Sequence, residues 1–530
     1  MVVAREPEEY QVQRRDHGEG RKEQIIQVDK NREVMESDSK DTKISMLKTH
    51  VPLPPIQVFP PIITSSSTYQ SHQLPYSQHP PPQPPSAMTS EGLNSRGQTN
   101  PFFLFLFLFH LLIAAFAVSF FSFKAIQGIT GKIGLFRKRS ERHHLIYWLS
   151  PVEGSVVLAI VLAFIWQKTI RVWPFVMVRF ILWFSFGSTM VVGILLLCFS
   201  RPATFGLGFV FVFFSIGSGL YACWVTPRTK FASKIIDSSL HPISRFPDLN
   251  HPTYVMLFLG FVWISIWSFA VIGALNFPYP ALTILGLVLS LMWTAEVIRN
   301  VANLTVSRVI ALYYLRGMQS NTKFCFMRAV TKNLGSACLG SLFVPTIEAS
   351  RIIARGLNLL EGEDEFMFSC AHCCLRVMEA VFRYGNSWAF VHIAAYGRGF
   401  VAASQSTWGM FQKAELEPLV DSDMTSSICF LCGISSGSIC VIFASSWTFS
   451  TEKNYTATVT LLSFLVGYLL TRIGMALPQA CIGCYYVCYA ENPNPRLFDS
   501  TIPERISDIK TGRALVAPTP RFPRRFAPRS

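Results

Sequence analysis

Repeated runs of about 18 or more apolar residues constrain the fold more than any other feature of this chain. A helix of that length can cross the hydrocarbon core of a bilayer, which is about 30 Å thick. The strand-like alternation of a membrane barrel is absent. Charged residues make up only 15% of the chain, against about 25% in an ordinary soluble protein. The sequence therefore predicts an all-α polytopic membrane protein.

About ten transmembrane helices are expected. Tyr-Gly-Arg-Gly at 396–399 interrupts the eighth, and Pro478 interrupts the tenth. The second span contains Pro151, Glu153 and Gly154. This cluster predicts either a broken or kinked helix with the Glu153 carboxylate at the break, or a helix that places Glu153 at the level of the lipid headgroups. The predicted spans are approximately residues 101–123, 146–166, 174–199, 203–225, 254–275, 281–315, 334–355, 387–410, 427–449 and 457–489.

The two ends of the chain differ from this transmembrane domain, residues 101–490. Residues 1–100 are rich in Pro, Ser and Gln and predict a disordered cytosolic tail, because such a segment cannot bury enough apolar area to offset its ordering entropy. Residues 491–530 predict a basic cytosolic tail that is disordered at its end. Loops on the cytosolic side of a membrane protein are enriched in Lys and Arg, and the distribution of these residues favours cytosolic termini. The basic loop after the first span contradicts this positive-inside rule. The basic residues also favour contact with the lipid bilayer.

Neither a metal site nor a cofactor is expected. Three C-x-x-C spacings, beginning at Cys370, Cys429 and Cys481, lie within or beside apolar runs, where thiols act as small apolar residues. His110 and His392 stand alone within spans, so the chain lacks the catalytic motif of a membrane acyltransferase and is predicted not to be an enzyme. No basic patch joins a folded soluble domain, so nucleic acid is excluded as a partner.

One stripe of polar side chains follows the long sixth span. Placed at about 100° per residue, its members occupy one narrow arc of the helix. Lipid cannot solvate such a stripe, so it faces either a watery pathway or other helices, to which it would be bonded. Arg299 lies one turn from Glu296 and is positioned to neutralise it. The stripe consists of Trp293, Glu296, Asn300, Asn303, Ser307, Ala311 and Tyr314.

Four motifs resemble those of the choline transporter-like family, a solute carrier family. They are WTAEVIRNVANLTVSRVIALYY from Trp293, LGSACLGSL from Leu334, the segment from Cys373 to Ser404, and YYVCYAENPNP from Tyr485. The resemblance covers roughly residues 293–495; Arg308, where many members have a small residue, departs from it. It implies ten helices, cytosolic termini, and movement of choline or a related amine across a membrane, most simply the plasma membrane.

A choline site needs aromatic faces and negative charge, because a quaternary ammonium cannot donate hydrogen bonds. On this reasoning the candidate substrate-binding residues are Trp293, Glu296, Asn300, Tyr314, Trp263, Trp267 and Trp388. Exchange with protons would use Glu153 or Glu296 as the titrating group. The alternative is a trafficking or lipid-homeostasis protein without transport activity of its own.

Two further predictions concern an ion pair and a glycosylation site. Glu348 and Arg351 are three residues apart on one helix and are expected to pair with each other. The sequon at Asn454 falls in a short loop that the proposed orientation places outside the cell, so Asn454 is the expected glycosylation site.

Overall fold

The computed structural model describes residues 97–130, 137–199, 201–275, 277–360, 365–451, 456–493 and 497–512. Within these ranges the regular structure is entirely helical. The helices are α1 Pro101–Thr130, α2 Arg137–Val172, α3 Pro174–Cys198, α4 Pro202–Val225, α5 Thr229–Leu240, α6 Pro242–Arg245, α7 Asn250–Ala274, α8 Pro280–Arg316, α9 Thr322–Thr331, α10 Leu334–Leu360, α11 Glu365–Tyr384, α12 Ala389–Tyr396, α13 Phe400–Lys413, α14 Glu417–Asp421, α15 Thr425–Thr451, α16 Thr456–Gly474, α17 Ala476–Glu491 and α18 Thr501–Lys510.

Nine helical segments of the described chain are long and apolar enough to cross a membrane. This confirms the predicted all-α polytopic class. The eighth predicted span instead forms α12 and α13, which are divided at Gly397, where the backbone has a left-handed φ of 68°. The Asn386 side chain donates to the Ser404 carbonyl at 3.3 Å, so α13 folds back beside the start of α12.

Pro151 does not break its helix, and the division of the last predicted span lies three residues before Pro478. Helix α2 continues through Pro151, and the Ser155 hydroxyl donates to the Pro151 carbonyl at 2.7 Å. The last predicted span is indeed divided, but at Met475, between α16 and α17. Pro478 lies in the first turn of α17, where a helix has no use for the missing backbone N–H.

Helix α8 has 37 residues and runs without a break from Pro280 to Arg316. Its length of about 55 Å exceeds the bilayer core, so it extends beyond the core. The end of α8 packs against the C-terminal segment: the Tyr314 ring stacks on Phe498 with centroids 4.8 Å apart. Residue Asp499 then accepts hydrogen bonds from Ser238, Tyr485 and Thr501, and α18 follows.

One face of the first helix packs against the bundle, while most of its side chains are exposed. An added Cβ at Gly273 of α7 would lie 1.9 Å from the Phe121 carbonyl oxygen of α1, and one at Gly335 would lie 2.3 Å from the Thr99 carbonyl oxygen. Only a glycine permits such a close approach of two helix backbones. Helix α1 is therefore a member of the packed bundle.

We expect Gly273→Val to separate α1 from α7 and lower the melting temperature of the detergent-solubilised protein. Overpacking of this kind costs about 1–3 kcal/mol or more. Gly286→Val on α8 is the control, because a Cβ there meets nothing within 4 Å. Equal melting temperatures for the two variants would contradict the contact between α1 and α7.

Several predictions concern residues outside the described ranges. These are the disordered tail up to residue 96, the end of the chain beyond residue 512, and the glycosylation site at Asn454. They remain predictions.

Candidate functional site

A cluster of hydrogen-bonded polar side chains surrounds the middle of α8. Arg299 lies 2.6 Å from the Glu296 carboxylate, so the two residues form the ion pair that their spacing suggested. The same guanidinium donates to Gln479 of α17 at 3.2 Å. Asn300 donates to the Ser341 hydroxyl of α10 at 2.8 Å. The negative charge of Glu296 is therefore already matched within the protein.

The part of the polar stripe that follows Asn300 makes contacts within α8 and with neighbouring helices. Ser307 donates to the Asn303 side chain at 2.9 Å, and the Cys484 thiol of α17 approaches the Ser307 carbonyl at 3.4 Å. Arg308, which departs from the family pattern, donates to the Ala394 carbonyl at the end of α12. Ser307 and the neighbouring Arg308 therefore link α8 to α17 and α12, which agrees with the interpretation that the stripe bonds to other helices.

Trp293 contacts two neighbouring helices. Its ring centroid lies 4.5 Å from that of His110 of α1, and its indole N–H donates to the Cys338 carbonyl of α10 at 3.3 Å. His110 in turn is bonded to Ser290 at 2.9 Å. The indole N–H and the ring of Trp293 both have partners within the protein. Trp293 therefore packs α8 against α1 and α10.

The other aromatic candidates lie far apart. Tyr314 is 21 residues beyond Trp293 on one continuous helix, a separation of about 31 Å. Trp267 is buried and donates to the Leu287 carbonyl at 3.0 Å. The indole N–H of Trp263 is buried and has no hydrogen-bond partner among the described residues. The predicted aromatic residues therefore do not form one cage around a substrate.

Trp388, the remaining aromatic candidate, lines a cavity with a different set of partners. This cavity has a volume of about 170 Å³ and is called the acidic cavity below. A smaller adjoining cavity shares Ser387, Trp388 and Ser426 with it and reaches Asn303 and Gln479. The acidic cavity is lined by Glu348, Arg351, Ile352, Phe382, Ser387, Trp388, Trp408, Val420, Asp421, Asp423 and Ser426.

The cation in this lining, Arg351, is already neutralised. Its guanidinium lies 2.8 Å from Glu379 of α11 and 2.6 Å from Asp421 of α14, and it lies 3.7 Å from the Phe382 ring centroid. The predicted pairing of Arg351 with Glu348 is wrong. Glu348 and Arg351 lie three residues apart on one helix and could have paired. The Arg351 guanidinium instead forms ion pairs with Glu379 and Asp421, which lie further along the chain.

Two carboxylates of the acidic cavity form no ion pair within 4 Å in the described part of the chain. Asp423 accepts from the hydroxyls of Thr425 at 2.6 Å and Tyr486 at 3.1 Å, at the start of α15. Glu348 lies beside the Ser387 hydroxyl, and Arg299 and Arg472 lie further behind it. Both carboxylates therefore line the cavity next to Trp388 and Trp408 without an ion-pair partner among the described residues.

Glu153, the other candidate for proton coupling, lies away from this cavity. Its carboxyl faces Ser265 and Ser268 of α7, and no ion pair to it occurs among the described residues. One of its oxygens is buried without a hydrogen-bond partner in the part of the chain that the structure describes.

A bundle of membrane-length helices around buried polar residues is the structure of a multi-pass membrane protein. The sequence pattern of the plasma-membrane choline transporter family matches residues 209–494, more than half of the 530-residue chain. The protein belongs to that family.

Relatives in other organisms agree with this assignment. A CTL-like protein of Dictyostelium discoideum is 24% identical over 302 residues, which cover 54% of this chain and 53% of that protein. The protein PNS1 of Mycosarcoma maydis is 23% identical over 64% of this chain and 71% of its own length. For PNS1 of Cryptococcus neoformans the identity is 23%, over 78% and 83%. The chain thus spans only about half the length of the Dictyostelium relative.

Proposed function

We propose that this protein transports choline or a related ethanolamine-type organic cation across the membrane, and that the acidic cavity holds the cation. The observation that carries the proposal is the position of Glu348 and Asp423 beside Trp388 and Trp408 in a cavity of about 170 Å³. Drug-sized ligands fill pockets of roughly 300–1,000 Å³, so this volume suits a small ion.

The chemistry of the lining matches a quaternary ammonium. Indole faces attract it through the ring quadrupole, and the two carboxylates supply charge without requiring a hydrogen-bond donor on the ligand. Arg351 does not oppose this attraction, since Glu379 and Asp421 balance its charge. The family membership supports the same class of substrate.

Coupling and orientation form the second part of the proposal. Glu153 exchanges a proton during the transport cycle, because its carboxyl faces two hydroxyls and no basic partner among the described residues, whereas Glu296 is paired with Arg299.

The protein lies in the plasma membrane with both termini in the cytosol. The end of the bundle placed in the cytosol carries Arg171, which is bonded to Asn250 at 2.7 Å, and Arg245, which is bonded to Tyr313 at 2.7 Å. The positive-inside rule favours basic residues at that end.

Uptake of radiolabelled choline by the purified full-length protein in liposomes tests the function directly. We expect saturable uptake above that of empty liposomes, with a rate that depends on an imposed proton gradient and loses this dependence in Glu153→Gln. Uptake no greater than in empty liposomes, from protein that is folded by its melting curve, would contradict the transport function and favour a trafficking or lipid-homeostasis role.

Replacement of Trp388 should weaken the binding of choline. We expect Trp388→Ala to raise the KM for uptake roughly 30-fold, which corresponds to one desolvated cation–π contact of about 2 kcal/mol. Trp388→Phe should keep most of the affinity. Trp183→Ala, at an exposed tryptophan on α3, is the control. Equal KM values for Trp388→Ala and Trp183→Ala would remove Trp388 from the site.

A further inference from the structure

A second and larger cavity, of about 800 Å³, lies where α7 begins and where the chain turns from α8 into α9. It shares no residue with the acidic cavity and is called the α7–α9 cavity. One wall comes from the start of α7 and the other from α9 and the turn before it. Its lining is Phe246, Pro247, Asp248, His251, Pro252, Val255, Gln319, Ser320, Asn321, Thr322, Lys323, Phe326 and Met327.

The cavity lies at one boundary of the membrane-spanning region. The span that contains α7 begins at Pro247, so the first two turns of α7 are at the level where the hydrocarbon core meets the headgroups. The apolar wall continues onto the outer surface of the protein, where Val255 is 53% exposed and Met327 57% exposed. In a bilayer that surface contacts acyl chains, and the cavity is open to them.

The polar rim of the cavity carries charges of both signs. Asp248 and His251 are exposed at the start of α7, and Lys323 is exposed at the start of α9. No ion pair within 4 Å involves Asp248 or Lys323 in the part of the chain that the structure describes. Asn321 accepts from the Lys323 backbone N–H at 2.9 Å, which fixes the first turn of α9.

Asp248 and Lys323, an acid and a base without an ion pair among the described residues, stand at the two walls and complement a ligand that carries both charges. An anionic lipid would meet Asp248 as well as Lys323, so the acid selects against it. A phosphate group suits Lys323, with His251 as a further donor, and an ammonium group suits Asp248. A phospholipid headgroup of the choline or ethanolamine type has both groups next to each other.

We propose that the α7–α9 cavity binds a zwitterionic phospholipid of the surrounding bilayer. Its phosphate lies at Lys323, its ammonium group at Asp248, and its acyl chains along Val255, Phe326 and Met327. This site is separate from the cation pathway, so it is independent of whether the protein transports choline.

Native mass spectrometry of the full-length protein, purified in detergent and stripped of lipid, tests this proposal. Phosphatidylcholine, phosphatidylglycerol and glycerophosphocholine are titrated separately. We expect one phosphatidylcholine to bind, at least tenfold more tightly than phosphatidylglycerol, and glycerophosphocholine to bind far more weakly because it has no acyl chains. Lys323→Glu should weaken phosphatidylcholine binding tenfold or more. Asp248→Asn should abolish the preference over phosphatidylglycerol.

Lys230→Glu is the matched control, since Lys230 is an exposed lysine of α5 outside the cavity. All three substituted side chains are exposed, so the variants are expected to fold. Equal phosphatidylcholine affinities in Lys323→Glu and Lys230→Glu would overturn the site. Tighter binding of phosphatidylglycerol to the parent protein would make it an anionic-lipid site, and equal binding of glycerophosphocholine would make it a site for soluble headgroups; either result rejects the proposal.

Discussion

Arg299→Met is expected to lower the folding stability of this protein by about 3–5 kcal/mol, because it leaves the Glu296 carboxylate without its partner in the middle of the bundle. The two groups lie 2.6 Å apart, and the Arg299 side chain is only 5% exposed. Gln479 and Asn300, which accept from the same guanidinium, would lose a donor as well. Lipid and packed helices supply no water to replace those contacts.

A second substitution distinguishes the lost charge from the lost volume. Glu296→Gln combined with Arg299→Met removes both charges, so we expect it to recover most of the stability, since replacing a buried pair by neutral groups is often close to neutral. Lys510→Met is the control: its contact with Glu415 has the same length of 2.6 Å, but both side chains are more than 60% exposed. An exposed pair contributes about 1 kcal/mol or less.

Thermal unfolding of the purified variants measures these differences, and choline uptake is recorded beside it. A melting temperature of Arg299→Met equal to that of Lys510→Met would show that Glu296 and Arg299 are not a buried pair. If the double variant folded like the parent but did not transport choline, the pair would have a role in the transport cycle beyond stability.

Features that depend on short stretches of chain were predictable. The apolar runs set the positions of the long helices because crossing a bilayer requires a minimum length. The pairing of Glu296 with Arg299 follows from helix geometry, which brings residues three apart onto one face. The interruption at 396–399 also follows from local chemistry, because Gly397 adopts a left-handed conformation that other residues disfavour.

Contacts between distant parts of the chain were not predictable from one sequence. Arg351 forms ion pairs with Glu379 and Asp421 and not with Glu348, which is nearer in sequence. Nothing in the local sequence pattern indicates which acid is closest in space. The acidic cavity combines residues of α10, α11, α13, α14 and α15 and of the segments beside them. Glu348 was assigned to an ion pair and Asp423 was not proposed as a site residue, so two of its carboxylates were missed. The short spacing from Asp423 to Thr425, typical of a helix start, was the only available signal.

Removing the charges of Glu348 and Asp423, the two carboxylates of the acidic cavity without an ion pair among the described residues, should nearly abolish choline transport at low substrate concentration. We expect Glu348→Gln and Asp423→Asn each to lower kcat/KM about tenfold, and the double variant about 100-fold, because close charge pairs in protein complexes contribute about 1.5 kcal/mol or more each. Both substitutions keep the shape of the side chain. Glu415→Gln, at an exposed acid outside the cavity, is the control.

A neutral analogue separates the effect of charge from the effect of shape. Choline and its uncharged isostere 3,3-dimethylbutan-1-ol have nearly the same size, so only choline gains from the two carboxylates. In the parent protein we expect the isostere to inhibit uptake far more weakly than unlabelled choline does. In the double variant that difference should shrink, while Trp388 and Trp408 continue to hold both molecules by apolar contact. If the parent bound the two molecules equally well, or if the double variant kept the full preference for choline while melting like Glu415→Gln, the cation would bind elsewhere, and Glu348 and Asp423 would serve only to hold α10 and α15 in place.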